Sequence, residues 1–169
     1  DVAGAVRADA PLTYLVTTPQ GSLAAVLRRD KDGDAVTVEP VWASFRSVQL
    51  HNILSSPSEY DRRFLQGSTG GDKDALQRTL QWAFPLLGDE LMSPLAASLR
   101  GNRENAVTLI ACGHLSLLPL HAAPYPSGED TRRLLDEYDV AYAPSARVLA
   151  AAQEEAEKRD SSSPRLVGG

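Results

Sequence analysis

One cysteine, Cys112, stands in 169 residues. An intrachain disulfide framework and a cysteine-built zinc cluster are therefore both excluded. No apolar run approaches the roughly 20 residues of a membrane span. The first ten residues, DVAGAVRADA, carry acids and no apolar segment, so they do not read as a signal peptide. Basic charge is scarce: 17 Lys and Arg stand against 22 Asp and Glu, a net charge of −5. Nucleic-acid binding usually needs a concentrated basic face. The pairs Arg28-Arg29 and Arg132-Arg133 are too short to make one. These absences give the expectation of a cytoplasmic protein with no nucleic-acid or membrane partner. A hydrophobic share of 43% and a charged share of 23% are near average for a globular domain. A chain of this size buries roughly 70% of its unfolded surface and needs no staple.

Residues 1–10 read as a weakly ordered lead-in, and 11–169 as one unit. Leu12, Tyr14 and Val16 alternate with Thr13, Leu15 and Thr17, in a stretch rich in β-branched and aromatic residues, as strands are. Pro19-Gln20-Gly21-Ser22 and Asp30-Lys31-Asp32-Gly33-Asp34 carry turn chemistry. The spacing predicts a small antiparallel meander over 11–46, its third strand (Val36–Phe45) broken near Pro40. Short helical turns are expected at 48–54 and Tyr60–Leu65, then a connector, Gln66-Gly67-Ser68-Thr69-Gly70-Gly71. That run lacks the Gly-Lys-Ser/Thr ending of a phosphate loop.

Leu76, Leu80, Phe84, Leu87, Leu91, Leu95 and Leu99 recur every three to four residues, the stripe of a helix with one buried face. Asp72 or Asp74 suits its start and Gly101-Asn102 its end. Pro85 should kink or split it, since proline lacks a backbone donor and clashes one turn back. Ala106–Ala111 is a short apolar run, read as a buried strand ended by Gly113. Tyr125-Pro126-Ser127-Gly128 reads as a loop, Leu134–Glu137 as a helical turn, and Tyr138–Tyr142 as a strand stopped by Pro144. Ser145 suits the N-cap of a helix over 146–159, with Val148, Leu149, Ala152 and Ala156 as its apolar face. Arg165-Leu166-Val167 then reads as the start of a further strand. A longer native chain, or a partner completing the sheet, is expected. An open sheet edge on residues 1–169 alone is expected to promote self-association.

Three stretches in this order resemble the N-terminal part of a CHAT domain, a caspase- and separase-related family often attached to TPR arrays. The first is LQWAFPLLGDELMSPLAASL, with Trp82 and Pro94 placed as in the family's helix. The second is VTLIACGHLSLLPLHAAPY, where Gly113, Leu115, Leu118, Pro119, Leu120 and His121 fit the family's strand-then-loop signature. The third is LLDEYDVAYAPSARVL, where Tyr138, Val140, Tyr142, Pro144, Ser145 and Leu149 fit. The resemblance implies an α/β fold: the meander, the long kinked helix, then the opening strands of an incomplete caspase-like sheet. It implies a cysteine endopeptidase family acting in signalling or defence. A cysteine attacks a backbone carbonyl with histidine as general base, and no cofactor takes part. It also implies that the peptidase His and Cys lie downstream of the third stretch, beyond residue 169. This chain is then expected to be the non-catalytic half, with no catalytic residue of its own. Its expected partners are the remainder of the CHAT domain and a protein substrate or regulator. The alternative is an inactive CHAT-like scaffold or interaction module.

Cys112 lies close to His114 and near His121, which invites a dyad. The pair i, i+2 shares a strand face only if the strand continues through Gly113, and an apolar-flanked cysteine is usually a small core residue. An unrelated hydrolase using Cys112 and His121 would lose its activity in Cys112→Ala. His121, between apolar residues, reads as a buried imidazole bonded to a backbone carbonyl. His51, His114 and His121 have no metal-ligand spacing. Ser116 and Ser145 lack the G-x-S-x-G setting of a nucleophile. Asp136, Glu137 and Asp139 flank a strand entry and read as solvated.

Overall fold

The computed structural model describes residues 2–30, 33, 35–55, 73–100 and 104–162, with the backbone alone for 73–79 and 160–162. Several expected features lie outside the described residues. These are the turn at Tyr60–Leu65, the connector at Gln66–Gly71, the Asp72 and Asp74 side chains, Gly101-Asn102 and the strand start at Arg165–Val167.

The strands β1 (Leu12–Thr17), β2 (Ser22–Arg29) and β3 (Val36–Ala43) form the expected antiparallel meander. β4 (Ala106–Ala111) pairs in parallel with β1. A small hairpin, β5 (Tyr125–Ser127) with β6 (Asp130–Arg132), stands apart. It replaces the expected loop, because Gly128 at φ 65 gives the two strands a tight turn. β7 (Asp139–Tyr142) pairs in parallel with β4. The main sheet is thus a mixed five-stranded α/β sheet in the order β3-β2-β1-β4-β7.

Pro40 does not break β3, which runs through it with Pro40 opposite Ala25. The Asp30 N–H bond to the Ala35 carbonyl sets the hydrogen-bonding parity of the β2–β3 pair. By that parity the N–H positions of Val36, Val38, Pro40 and Trp42 point away from β2. Proline therefore costs the ladder nothing, as is usual on an edge strand.

One face of the sheet is sealed by α2 (Ser47–Ser55), α3 (Lys73–Leu87) and α4 (Ser93–Leu99). Leu15, Ala24, Val26, Val107 and Leu109 from the strands meet Ile53, Leu87, Leu91, Leu95 and Leu99 from the helices. The leucine stripe from 87 to 99 is therefore the buried face that the spacing predicts. Pro85 does not split the helix. α3 continues to Leu87, and the irregularity follows in a π segment, Gly88–Met92, whose wide turn is closed by Ser93 N–H on the Gly88 carbonyl. Gly88 accounts for the place of the π segment. A Cβ there would stand 1.6 Å from the Pro124 carbonyl oxygen, so only glycine lets the helix lie against the loop before β5.

The other face carries α1 (Val2–Ala5) and α6 (Ala146–Ser162). Residues 2–6 are not a loose lead-in. Ala5 and Val6 are each 2% exposed and pack with Leu12, Leu27, Ile110 and Ala146. The Gln153 amide donates to the Ala5 carbonyl at 3.4 Å. α6 consequently turns Ala146, Leu149 and Ala150 inward, while Val148, Ala152 and Ala156, expected on the apolar face, are exposed. Ser145 caps the helix as expected, its Oγ accepting the Val148 N–H at 3.3 Å. Among the described residues no helix is long and apolar enough to cross a membrane.

Candidate functional site

In open sheets with parallel strands, ligands and catalytic groups gather outside the carboxyl ends of those strands. Here that rim is formed where β4 and β7 end. After Ala111 and Cys112, Gly113 takes φ 60 and the chain turns into a short 3-10 helix, Gly113–Leu117. A second 3-10 helix, Leu120–Ala122, follows Pro119. Leu115, Leu118 and Leu120 bury themselves in the main core and anchor this loop from below. The positive φ falls on a glycine, the residue that adopts it at least cost.

His121 and Tyr142 join the loop to β7. The Tyr142 hydroxyl accepts the His121 backbone N–H at 3.1 Å and stands 3.0 Å from His121 Nδ1. The rings meet edge to face, their centroids 5.5 Å apart. One hydroxyl thus meets both the backbone and the ring of His121 and ties the loop to β7 at two points. Burial raises the Tyr142 pKa against the opposing pull of backbone N–H bonds, so the phenol stays protonated. The partner of His121 is thus a side chain rather than the expected backbone carbonyl, and the imidazole is half-buried rather than buried.

The expected signature residues separate into two groups. Gly113, Leu115, Leu118, Pro119, His121, Tyr142, Pro144 and Ser145 all lie in or next to this rim. Trp82, on α3, and Pro94, in the first turn of α4, belong to the helix layer instead. Trp82 is 40% exposed, so its helix position is not explained by burial.

Cys112 is half-buried, its Sγ 3.9 Å from the Ile110 carbonyl oxygen, and its backbone N–H is held by Leu15. Because the strand stops before Gly113, Cys112 and His114 share no strand face. His114 is exposed and His121 Nδ1 faces Tyr142. His51 lies on α2 beside Ser55. Ser116 Oγ donates to the Gly113 carbonyl at 2.8 Å, a turn-stabilising bond. Among the described residues no group of His, Cys, Asp and Glu is clustered closely enough to hold a metal ion.

Below the rim a polar cluster had no signal in the sequence beyond scattered charges. Glu137, at the end of α5 (Leu134–Glu137), accepts the hydroxyl proton of buried Tyr125. It also pairs with Arg100 at 3.4 Å and Arg132 at 3.2 Å. Arg100 lies over the Tyr125 ring, 5.6 Å from its centre. Glu137 is therefore not solvated, contrary to the expectation from its place at a strand entry. Burial on its own would raise its pKa, but the bonds from Tyr125, Arg100 and Arg132 outweigh that and hold it below the ordinary value. Asp136 caps α5, taking the Arg133 N–H at 2.8 Å. The cluster fastens the hairpin, α5 and the end of α4 together. With every partner committed, it serves as a clamp and leaves no group for acid–base chemistry.

The rim, its glycine turn and the helix below it all fall within a match to the CHAT domain family profile, which covers residues 77–169. The meander lies outside that match, while the stretches at 80–99, 107–125 and 134–149 lie inside it. No curated protein and no solved structure matches the chain. The profile spans more than half of the sequence and contains all three signature stretches, so this chain belongs to the CHAT domain family.

Proposed function

We propose that this chain is the supporting, non-catalytic half of a caspase-like cysteine endopeptidase, completed by the remainder of the CHAT domain. The observation that carries the reading is the side of β7 turned away from β4, which pairs with no strand among the described residues. Asp139 N–H donates to the Asn105 carbonyl and Ala143 N–H to the Leu109 carbonyl, so the odd-numbered amides of β7 face β4. The amides of Val140 and Tyr142 face away from β4, ready for the next parallel strand. That strand would stand beside the rim fixed by the His121–Tyr142 bond. A His and a Cys at the carboxyl ends of such added strands would meet a peptide over this rim. Cysteine would attack the scissile carbonyl as histidine takes its proton, the C–N bond would break as that proton passes to the leaving amine, and water would then cleave the thioester to free the acid and the thiol. This chain's share is to hold the rim still, because small displacements of a reacting pair cost large factors in rate.

The test is to treat the native-length protein with an irreversible peptidyl electrophile and map the alkylated residue by mass spectrometry. The expected label sits on a cysteine beyond residue 169 and persists in Cys112→Ala. A label on Cys112 would overturn the reading in favour of a different hydrolase. No label on the native-length protein would favour a catalytically inactive CHAT-like scaffold.

A further inference from the structure

Among the described residues, the sheet face that carries α1 and α6 is only half covered. Those helices lie over Leu12, Leu27 and Ile110. Alongside, the same face of the meander presents Val16, Leu23, Ala25, Val38, Pro40 and Trp42, a strip without a charge. Trp42 is 75% exposed, Val38 61% and Val16 39%. The opposite face of these same strands is sealed by the helices above Leu15, Ala24 and Val26. The strip exposes on the order of 300 Å² of apolar surface, the size at which a patch on a monomer is often functional.

Three features decide what fits it. The strip continues an interface where helices already sit, since Tyr14, Ala25 and Val36 pack against the α1–α6 cluster. Its width, two strand spacings or about 10 Å, is that of one α-helix with its side chains. Strand addition along β3 is disfavoured, because Pro40 removes the central outward donor of that edge.

We propose that this strip docks an amphipathic α-helix of a partner protein, laid apolar side down next to α6 and along the strands. The docking is independent of any peptidase activity. The test places a photoreactive benzoylphenylalanine at position 38, and separately at 42, of the native-length protein in its own cells. Crosslinked sites are then mapped by mass spectrometry. Val38 and Trp42 stand about 13 Å apart along the strand, a span of about nine residues in a helix. The expected result is one partner segment, reached at sites about nine residues apart. Trp42→Glu is expected to lower the crosslink from position 38 at least tenfold. Should that variant melt early, Val16→Lys, at the strip's other side, is read in the same way. Sites about four residues apart would mean an extended strand and overturn the proposal. So would crosslinks to a second copy, crosslinks within the chain, a yield unaffected by the substitution, or no crosslink.

Discussion

Glu137 is the residue on which the polar packing converges, and it makes a pH-dependent contribution to stability. Its folded pKa lies below the unfolded value of about 4.3. Its contribution is therefore fully present above the unfolded pKa and is lost as pH falls through the folded one. Glu137→Gln is expected to cost about 2 kcal/mol at pH 7, the scale of a charge-assisted hydrogen bond. In urea melts from pH 7 to pH 3, the gap between parent and variant should hold to about pH 5 and shrink below about pH 4. A gap that stays constant with pH would contradict the clamp. Tyr125→Phe, which removes one donor to Glu137, should cost about 1–2 kcal/mol by the same melts. This cluster was not legible in the sequence. Arg100, Tyr125, Arg132 and Glu137 come from separate elements, and only the hairpin and the turn of α5 bring them together. Cys112 shows the reverse: it sits near histidines in the sequence, but the positive-φ turn at Gly113 ends the strand that would have aligned them.

Among the elements, the helix layer depends on a close approach at a single glycine. Gly88→Ala would put a methyl 1.6 Å from the Pro124 carbonyl, so the loop before β5 or the π segment must move. A cost of about 3 kcal/mol is expected, at the upper end for overpacking, or a melting temperature lower by about 6–12 °C. Gly4→Ala in α1, with nothing within 4 Å, should be neutral or slightly stabilising in the same scan. Equal effects at both positions would remove the steric account. Regular periodicity made the meander, the leucine stripe, β4 and the Ser145 cap legible, because each is a local pattern with a local cause. The misreadings came where tertiary context prevailed. Pro40 is tolerated because β3 is an edge, α1 is ordered by α6, and the π segment lies where the helix meets a distant loop. The loop expected at Tyr125–Gly128 became a hairpin because its second strand, Asp130–Arg132, has no apolar alternation to announce it.

At the scale of the whole molecule, the sheet has two edges among the described residues, and they differ. β3 is blunted by Pro40 on its outward side, and the face behind it is apolar. β7 is a parallel edge of four residues with the amides of Val140 and Tyr142 turned away from β4, directly beside the fixed rim. That asymmetry is the ground for proposing growth of the sheet at β7 and helix docking on the β2–β3 face. In the intact protein β7 is expected to receive another strand. Amide hydrogen exchange at Val140 and Tyr142 in the native-length protein tests it most directly, because neither amide bonds to β4. Both are expected to be as protected as Asp139 and Ala141, with opening free energies near that of the core. Rapid exchange at Val140 and Tyr142 beside slow exchange at Asp139 and Ala141 would show β7 to be a true edge, and the supporting-half reading would fall.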